Sequence, residues 1–360
     1  MLVEVYQPKE LSAARLDKLL AGGWFRTSSS ISRLQYLCIS DTIGSVINIR
    51  AKLDNYEFSR SSRKLLTKNK QRFSYIIRKA SVDDFKEMLY QQQKSRFEIF
   101  VMDNLSIFLY DYLDEEDSVF DTYEVCVYDA DRLVAVSFFD LGSQAIASIL
   151  GLYDAEYQKY SLGIYTMLLE IEYAKSKGFS CYYPGYVVKS DKGYVFDYKL
   201  RLNNLQFRDK FGVWKPIRDI ENEYWIHQII EEKHQQIKKL LAKYSIDYEE
   251  ILYPYFAIAS FISSDRCVGS AIYFRIGANH HHQQLVLEYL IDKNTFVLGF
   301  ASPLNDFFFS LMVENVKLSD KFVNSGNYYK HPLKYDEVVI SSSSLPKVIA
   351  KIIDLKIIEG

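Results

Sequence analysis

The chain reads as an α+β protein built on a mixed sheet. Three observations carry that reading. Two strands, DTYEVCVYD and RLVAVSFFDLG, alternate apolar and polar residues around the turn Ala130–Asp131. A third strand, residues 145–152, runs into a polar turn and a helix whose apolar positions Ile164, Met167, Leu168 and Ile171 keep the i, i+3, i+4, i+7 spacing of a core-facing stripe. The helix closes on Lys175, Lys177 and Gly178, and an aromatic strand follows from Phe179 to Val188. Strand, helix and strand in that order lie parallel, so an antiparallel meander feeding this unit gives a mixed sheet.

The remaining elements follow in order. Residues 1 to about 35 hold a helix, LSAARLDKLLAGG, closed by glycines ahead of Trp24 and Arg26. Residues 38–53 read as a hairpin around a DTIG turn. In SRSSRKLLTKNKQR, serines precede a basic run in which Arg60, Lys64, Lys68 and Arg72 are four apart and share one helix face. Phe73 to Ile77 is a short strand. Ser81-Val-Asp-Asp caps a helix through Phe85, Met88 and Leu89, and a second helix is expected over residues 103–113. Beyond residue 220, a polar helix (221–244) reads as a surface or linking element, and the rest as a small α+β appendage of four strands and a final helix. The expected boundaries are 1–80, 81–220 and 221–360.

Composition narrows the function. The chain has 360 residues, 48% hydrophobic and 25% charged, with 29 Tyr and 23 Phe. A net charge of −2 excludes nucleic-acid binding through bulk positive charge, so any such contact must be a local patch. Cys38, Cys126, Cys181 and Cys267 form no CxxC pair, which argues against a zinc site or disulfide framework and for a reducing cytoplasm. The chain shows no signal peptide and no apolar run long enough to span a membrane. His280–His281–His282 cannot all face one ion and read as a loop, so no metal is expected.

The candidate site is the helix start at Ser161–Leu162–Gly163. Free backbone N–H groups and the positive end of the helix dipole suit a phosphate or a developing oxyanion there. Pro184 and Gly185 interrupt the next strand, as expected of one that bulges or splays and opens a slot. Tyr153, Tyr160, Tyr182, Tyr183 and Tyr186 surround this region and could stack on a base or hold a leaving oxygen; each could equally pack with a satisfied hydroxyl.

These residues also carry a resemblance. Ser-Leu-Gly-x-Tyr from Ser161, Leu-x-Glu-Ile, Tyr-Tyr-x-Gly-Tyr from Tyr182 and Asp197-Tyr198-Lys199, with Gly23, Trp24, Arg26 and the Ser-x-Ser-x-Arg-Lys…Asn69 element, resemble the arginyl-tRNA–protein transferases and their leucyl-transferring relatives. The likeness covers about the first two thirds of the chain. It implies a GNAT acyltransferase-like central domain and transfer of an amino acid, arginine first, from aminoacyl-tRNA to the N-terminal amine of a protein that starts with an acidic residue. It implies no cofactor beyond the charged tRNA. Asp140, Tyr160, Ser161 and Gly163 are the expected catalytic residues. Arg26, Tyr153, Tyr182, Tyr183, Gly185, Tyr186, Tyr198, Lys199 and Arg201 are expected to bind donor or acceptor, and Arg60, Lys64, Lys68 and Arg72 to track tRNA phosphates. An arginine donor needs a carboxylate, for which Asp140, Asp121 and Glu124 are candidates. The family's nearby cysteines are absent apart from Cys38, which speaks against a cluster-based redox role. An acyl-CoA-dependent acyltransferase, or a binding protein on the same scaffold, is the alternative; Ser161 in place of a glycine crowds a coenzyme diphosphate.

Overall fold

The computed structural model describes residues 3–39, 42–97, 100–111, 113, 115–257, 266–277, 283–304, 316–318 and 327–359; His280–His282 lie outside them. The chain divides into two compact units. One comprises Val5–Arg33 and Val46–Glu223, the other Met1–Glu4, Leu34–Ser45 and Tyr224–Gly360.

The first unit is a mixed sheet covered on both faces. Its strands follow the order Gly193–Val195, Tyr186–Ser190, residues 46–52, Cys181–Tyr183, Ala145–Tyr153, Arg132–Leu141, Thr122–Asp129 and Ser74–Lys79. The ladder from Ser74–Lys79 through Ala145–Tyr153 is antiparallel, and only then does the parallel pair with Cys181–Tyr183 appear. Side chains alternate between the faces, as strand geometry requires. Val125 and Val127 pack toward the helix Leu162–Ser176, while Cys126 packs toward the helices Asp84–Gln93 and Leu105–Tyr110.

The central helix Leu162–Ser176 is apolar beyond the expected stripe. Leu162, Tyr165, Leu169 and Ala174 are buried with Met167, Leu168 and Ile171, and Ile164 packs beside them. The helix Arg60–Lys70 explains the extra width. Its Leu65 and Leu66 join the same core, so the central helix is covered on its outer side as well. Ser59 caps the basic helix, accepting from Ser62 N–H at 3.0 Å. This helix ends at Lys70, so Arg72 lies past it, where it binds Asp129 at 2.7 Å. The helix expected over 103–113 is shorter, Leu105–Tyr110, and stops where Asp111 takes φ +63°. A small sheet formed by Phe25–Thr27 and Ser30–Leu34 was not legible as strands.

The second unit holds a five-stranded antiparallel sheet in the order Tyr248–Leu252, Ile272–Ile276, Gln284–Leu290, Thr295–Pro303, Leu333–Ser342. The helix Ile226–Lys243 is no linker. Ile230, His234, Ile237 and Leu241 form a buried stripe on it, and Ile237 and Leu241 share one core with Phe274, Leu287, Leu298 and the Val348–Ile349–Ile352 face of Leu345–Glu359. Polar residues on the outer face mask that stripe in the sequence. Ile237→Ala is therefore expected to lower stability by about 2–5 kcal/mol in urea unfolding, whereas Lys239→Ala on the outer face shifts it by less than about 0.5 kcal/mol.

Candidate functional site

Two strands part beside the start of the central helix. Ala145–Tyr153 and Cys181–Tyr183 pair in parallel at three positions, Ala145↔Cys181, Ile146↔Tyr182 and Ala147↔Tyr183. The first strand continues against its antiparallel neighbour as far as Tyr153↔Ala135, with an irregularity between Ser148 and Leu150 that leaves Ile149 without an opposite residue. The second turns away at Pro184–Gly185. Proline has no N–H to give a ladder, and Gly185 takes φ +88°. The Gly185 carbonyl accepts from Ile49 N–H at 3.1 Å, which continues the pairing with residues 46–52 begun at Cys181↔Lys52 and Tyr182↔Ala51.

The helix start faces the place where the strands part. Ser161 adopts φ +51°, and its hydroxyl caps nothing. Ile164 N–H and Tyr165 N–H both reach Ser161 O, at 3.1 and 3.0 Å. Among the described residues, the N–H groups of Leu162 and Gly163 have no acceptor. They are the two donors available for an anion. Tyr153 lies against this end: a methyl on Gly163 would stand 3.6 Å from its ring. Arg96 Nη1 donates to the Tyr153 hydroxyl at 2.9 Å. Tyr160 is held just upstream. The buried Asn69 donates to its carbonyl at 2.9 Å, Arg72 donates to its hydroxyl at 2.6 Å, and the cations of Lys68, Arg72 and Lys159 lie over its ring at 5.6, 4.7 and 5.3 Å.

On the far side, Tyr186 packs on Phe25 at 4.9 Å, and Lys199 Nζ donates to Tyr186 O at 3.1 Å. Lys199 sits beside Gly185, within 3.4 Å of where a methyl would project. Loss of solvation lowers its ammonium to about 8, and no carboxylate among the described residues pairs with it. Arg201 is exposed. Beneath lies a buried carboxylate. Glu170, on the central helix, accepts from the Tyr182 hydroxyl at 2.8 Å. Burial pushes it up to about 7, opposed by the hydroxyls of Ser137, Tyr182 and Ser148. Its Oε1 and the Ser137 hydroxyl lack well-formed hydrogen bonds. Loss of solvation raises the Tyr198 hydroxyl to about 12, with smaller electrostatic contributions from Tyr153, Glu170 and Tyr186.

The structure gathers Tyr153, Tyr160, Ser161, Gly163, Tyr182, Gly185, Tyr186, Tyr198 and Lys199 around the parting strands. Arg26 and Asp140 are committed to one another instead. Their side chains are buried and joined at 2.8 Å, Thr122 bridges both, and Arg26 also donates to Leu109 O and lies over Phe120 at 4.2 Å. Tyr183 is buried against Trp214. Arg60, Lys64 and Lys68 are exposed on the basic helix, and Arg72 is shared between Asp129 and Tyr160. Sequence reasoning gave no role to two residues. Glu170 was signalled by a carboxylate inside the apolar run Met167–Ile171. Arg96 carries no pattern that marks it.

A mixed sheet with a free helix start and parted strands at its centre is a framework that acyl transfer can use, and comparison gives the family it resembles. Residues 68–209 match the family described as "Arginine-tRNA-protein transferase, C terminus". Over that stretch the chain resembles the aminoacyl-tRNA–protein transferases, and it is an aminoacyltransferase. It is 29% identical over 188 residues to an aspartate/glutamate leucyltransferase of Campylobacter jejuni, covering 51% of this chain and 74% of that one. A Leptospira interrogans protein of the same name is 25% identical over 229 residues, covering 60% and 84%. Among solved structures, FemX is similar at 11% identity with a TM-score of 0.34, over 52% of this chain and 64% of that one, a likeness too slight to inform on the fold.

Glu170 ties this site to stability. Its native pKa of about 7 exceeds its ordinary value of 4.5, so the native state retains a proton that the unfolded state releases. Below about pH 4.5 both states are protonated and the group costs no stability through ionisation; above that the native state loses stability relative to the unfolded chain, until the loss levels off past pH 7. Glu170→Gln should flatten this trend, with a melting temperature that gains on the parent at pH 8 but not at pH 4.5, measured by calorimetry at both.

Proposed function

We propose that this protein transfers leucine from leucyl-tRNA to the N-terminal amine of a protein beginning with aspartate or glutamate. The names of its relatives support leucine over the arginine expected from sequence. The disposition of charge agrees. Of the carboxylates suited to an arginine donor, Asp140 is neutralised by Arg26, Asp121 by Lys79, and Glu124 by Lys86 and Arg78. Glu170, buried under Tyr182, is held toward its neutral form. An apolar side chain suits that environment better than a guanidinium.

The observation that carries the reading is the free helix start beside the parted strands. The terminal adenosine of the tRNA enters that gap, as donors enter GNAT acyltransferases, to which we assign this unit. The acceptor amine attacks the ester carbonyl, negative charge collects on its oxygen, the bond to the ribose oxygen breaks, and the proton shed by the amine ends on that ribose oxygen, leaving a free ribose hydroxyl. Leu162 and Gly163 N–H are placed for that oxyanion. Ester aminolysis runs downhill, so positioning and charge stabilisation suffice, and neither metal nor coenzyme is required. Tyr153 and Tyr186 offer ring faces to the adenine, and the exposed cations Arg60, Lys64 and Lys68 follow the acceptor-stem phosphates. Charged tRNA is cytoplasmic, and we place the protein there.

Incubation with leucyl-tRNA and a peptide beginning with Asp is expected to yield the leucyl-extended peptide. Arginyl-tRNA giving the faster product would refute the donor assignment, and no product with either would refute the reaction. Replacing Arg60, Lys64 and Lys68 together by alanine should weaken tRNA binding. The slope of log affinity against log salt should fall by about one for each phosphate no longer neutralised, read by filter binding across a salt series.

A further inference from the structure

We infer that Arg208, with Arg33 beside it, forms the subsite that receives the side-chain carboxylate of the acceptor's first residue; the inference rests on the transfer reaction proposed above. The strand Leu205–Arg208 pairs with residues 49–51, which brings Arg208 beside Asn48. Its side chain is clamped between two glycines. A methyl at Gly23 would stand 2.9 Å from Arg208 Cδ, and one at Gly212 would stand 2.6 Å from Nη2. Both glycines take positive φ, +81° and +88°. Backbone therefore fixes this guanidinium where an acid would ordinarily do so.

No acid does. Among the described residues the Arg208 side chain has no hydrogen-bond or ion-pair partner, and its Nε is buried without an acceptor. Burial and the nearby charge of Arg33 both work against its protonation. Asp209 is the carboxylate within reach, yet Lys215 at 2.9 Å and the N–H groups of Phe211 and Val213 at 2.9 and 2.8 Å already occupy it. A half-buried cation left beside a like charge is costly. A planar carboxylate, bound through two parallel N–H donors, relieves that cost.

The position fits the acceptor. Asn48 Nδ2 donates to Gly23 O at 3.0 Å. The next residue, Ile49, holds Gly185 at the parting strands, and two residues after Gly23 the Phe25 ring packs on Tyr186. The carboxylate of Asp or Glu is only two or three bonds from the Cα that bears the attacking amine, so its reader must lie close to that rim. A tRNA phosphate is the poorer match, because phosphate-tracking cations are exposed, as on Arg60–Lys70, whereas Arg208 is half-buried.

Two peptides that differ only in a first residue of Asp or Asn test this, with Arg208→Met and Arg208→Lys. For the parent, the Asp peptide should be favoured. Arg208→Met should raise its KM at least about tenfold, as expected when a charge-assisted bond is removed, and erase the preference, while kcat and the KM for leucyl-tRNA stay within about threefold. A preference that survives Arg208→Met overturns the inference, as does a rise in the tRNA KM alone. Should Arg208→Met fail to fold, Arg208→Lys decides: the charge remains but the fork is gone, and an unchanged preference overturns the inference. Titration calorimetry with the two peptides and no tRNA separates the failures. Selective binding of the Asp peptide that disappears in Arg208→Met supports the subsite even if transfer is never seen.

Discussion

The structure depends on a one-sided loss of backbone pairing at Pro184–Gly185. As far as Tyr183 the chain pairs with Ala145–Tyr153 on one side and with residues 51–52 on the other; at Gly185 the second pairing continues through Ile49 while the first has ended. Pro184 cannot donate, and few residues other than glycine tolerate φ +88°. The two strands must therefore separate beside the helix that links them. That separation leaves the first N–H groups of the central helix without acceptors among the described residues and lines the gap with Tyr153, Gly163, Tyr186 and Lys199.

Around this gap the fold uses its buried charges in two ways. Arg26–Asp140 and Lys86–Glu124 are satisfied pairs with little exposed charge, fixing strands and helices to one another. Removing one partner from either would leave an uncompensated charge, which is how such pairs hold geometry without adding much net stability. Glu170, Lys199 and Arg208 are different. Each is shifted toward its neutral form by burial, and none forms an ion pair among the described residues. All three lie on elements that border or adjoin the gap, and groups held in this way are typical of sites awaiting a ligand.

Much of this was legible in the sequence because it depends on local chemistry. The alternation of residues 122–141 marked the meander, and the Pro184–Gly185 break showed where the strand would leave its neighbour. The 3.6-residue stripe found the central helix but understated its burial, since nothing local announces that Arg60–Lys70 will cover it. The polar face of Ile226–Lys243 hid a core helix for the same reason. Arg26 and Asp140 lie 114 positions apart, and only the fold brings them together. Arg208 was invisible because its environment comes from glycines at 23 and 212, distant from each other in the chain.

The central claim is that an aminoacyl-adenosine tail seats in the gap with its carbonyl toward the free helix start. Backbone amide shifts on addition of a non-hydrolysable leucyl-adenosine analogue test it directly. The account predicts the largest changes at Leu162 and Gly163, with accompanying shifts at Ile149 and Gly185. Saturable binding that leaves Leu162 and Gly163 unmoved would contradict it.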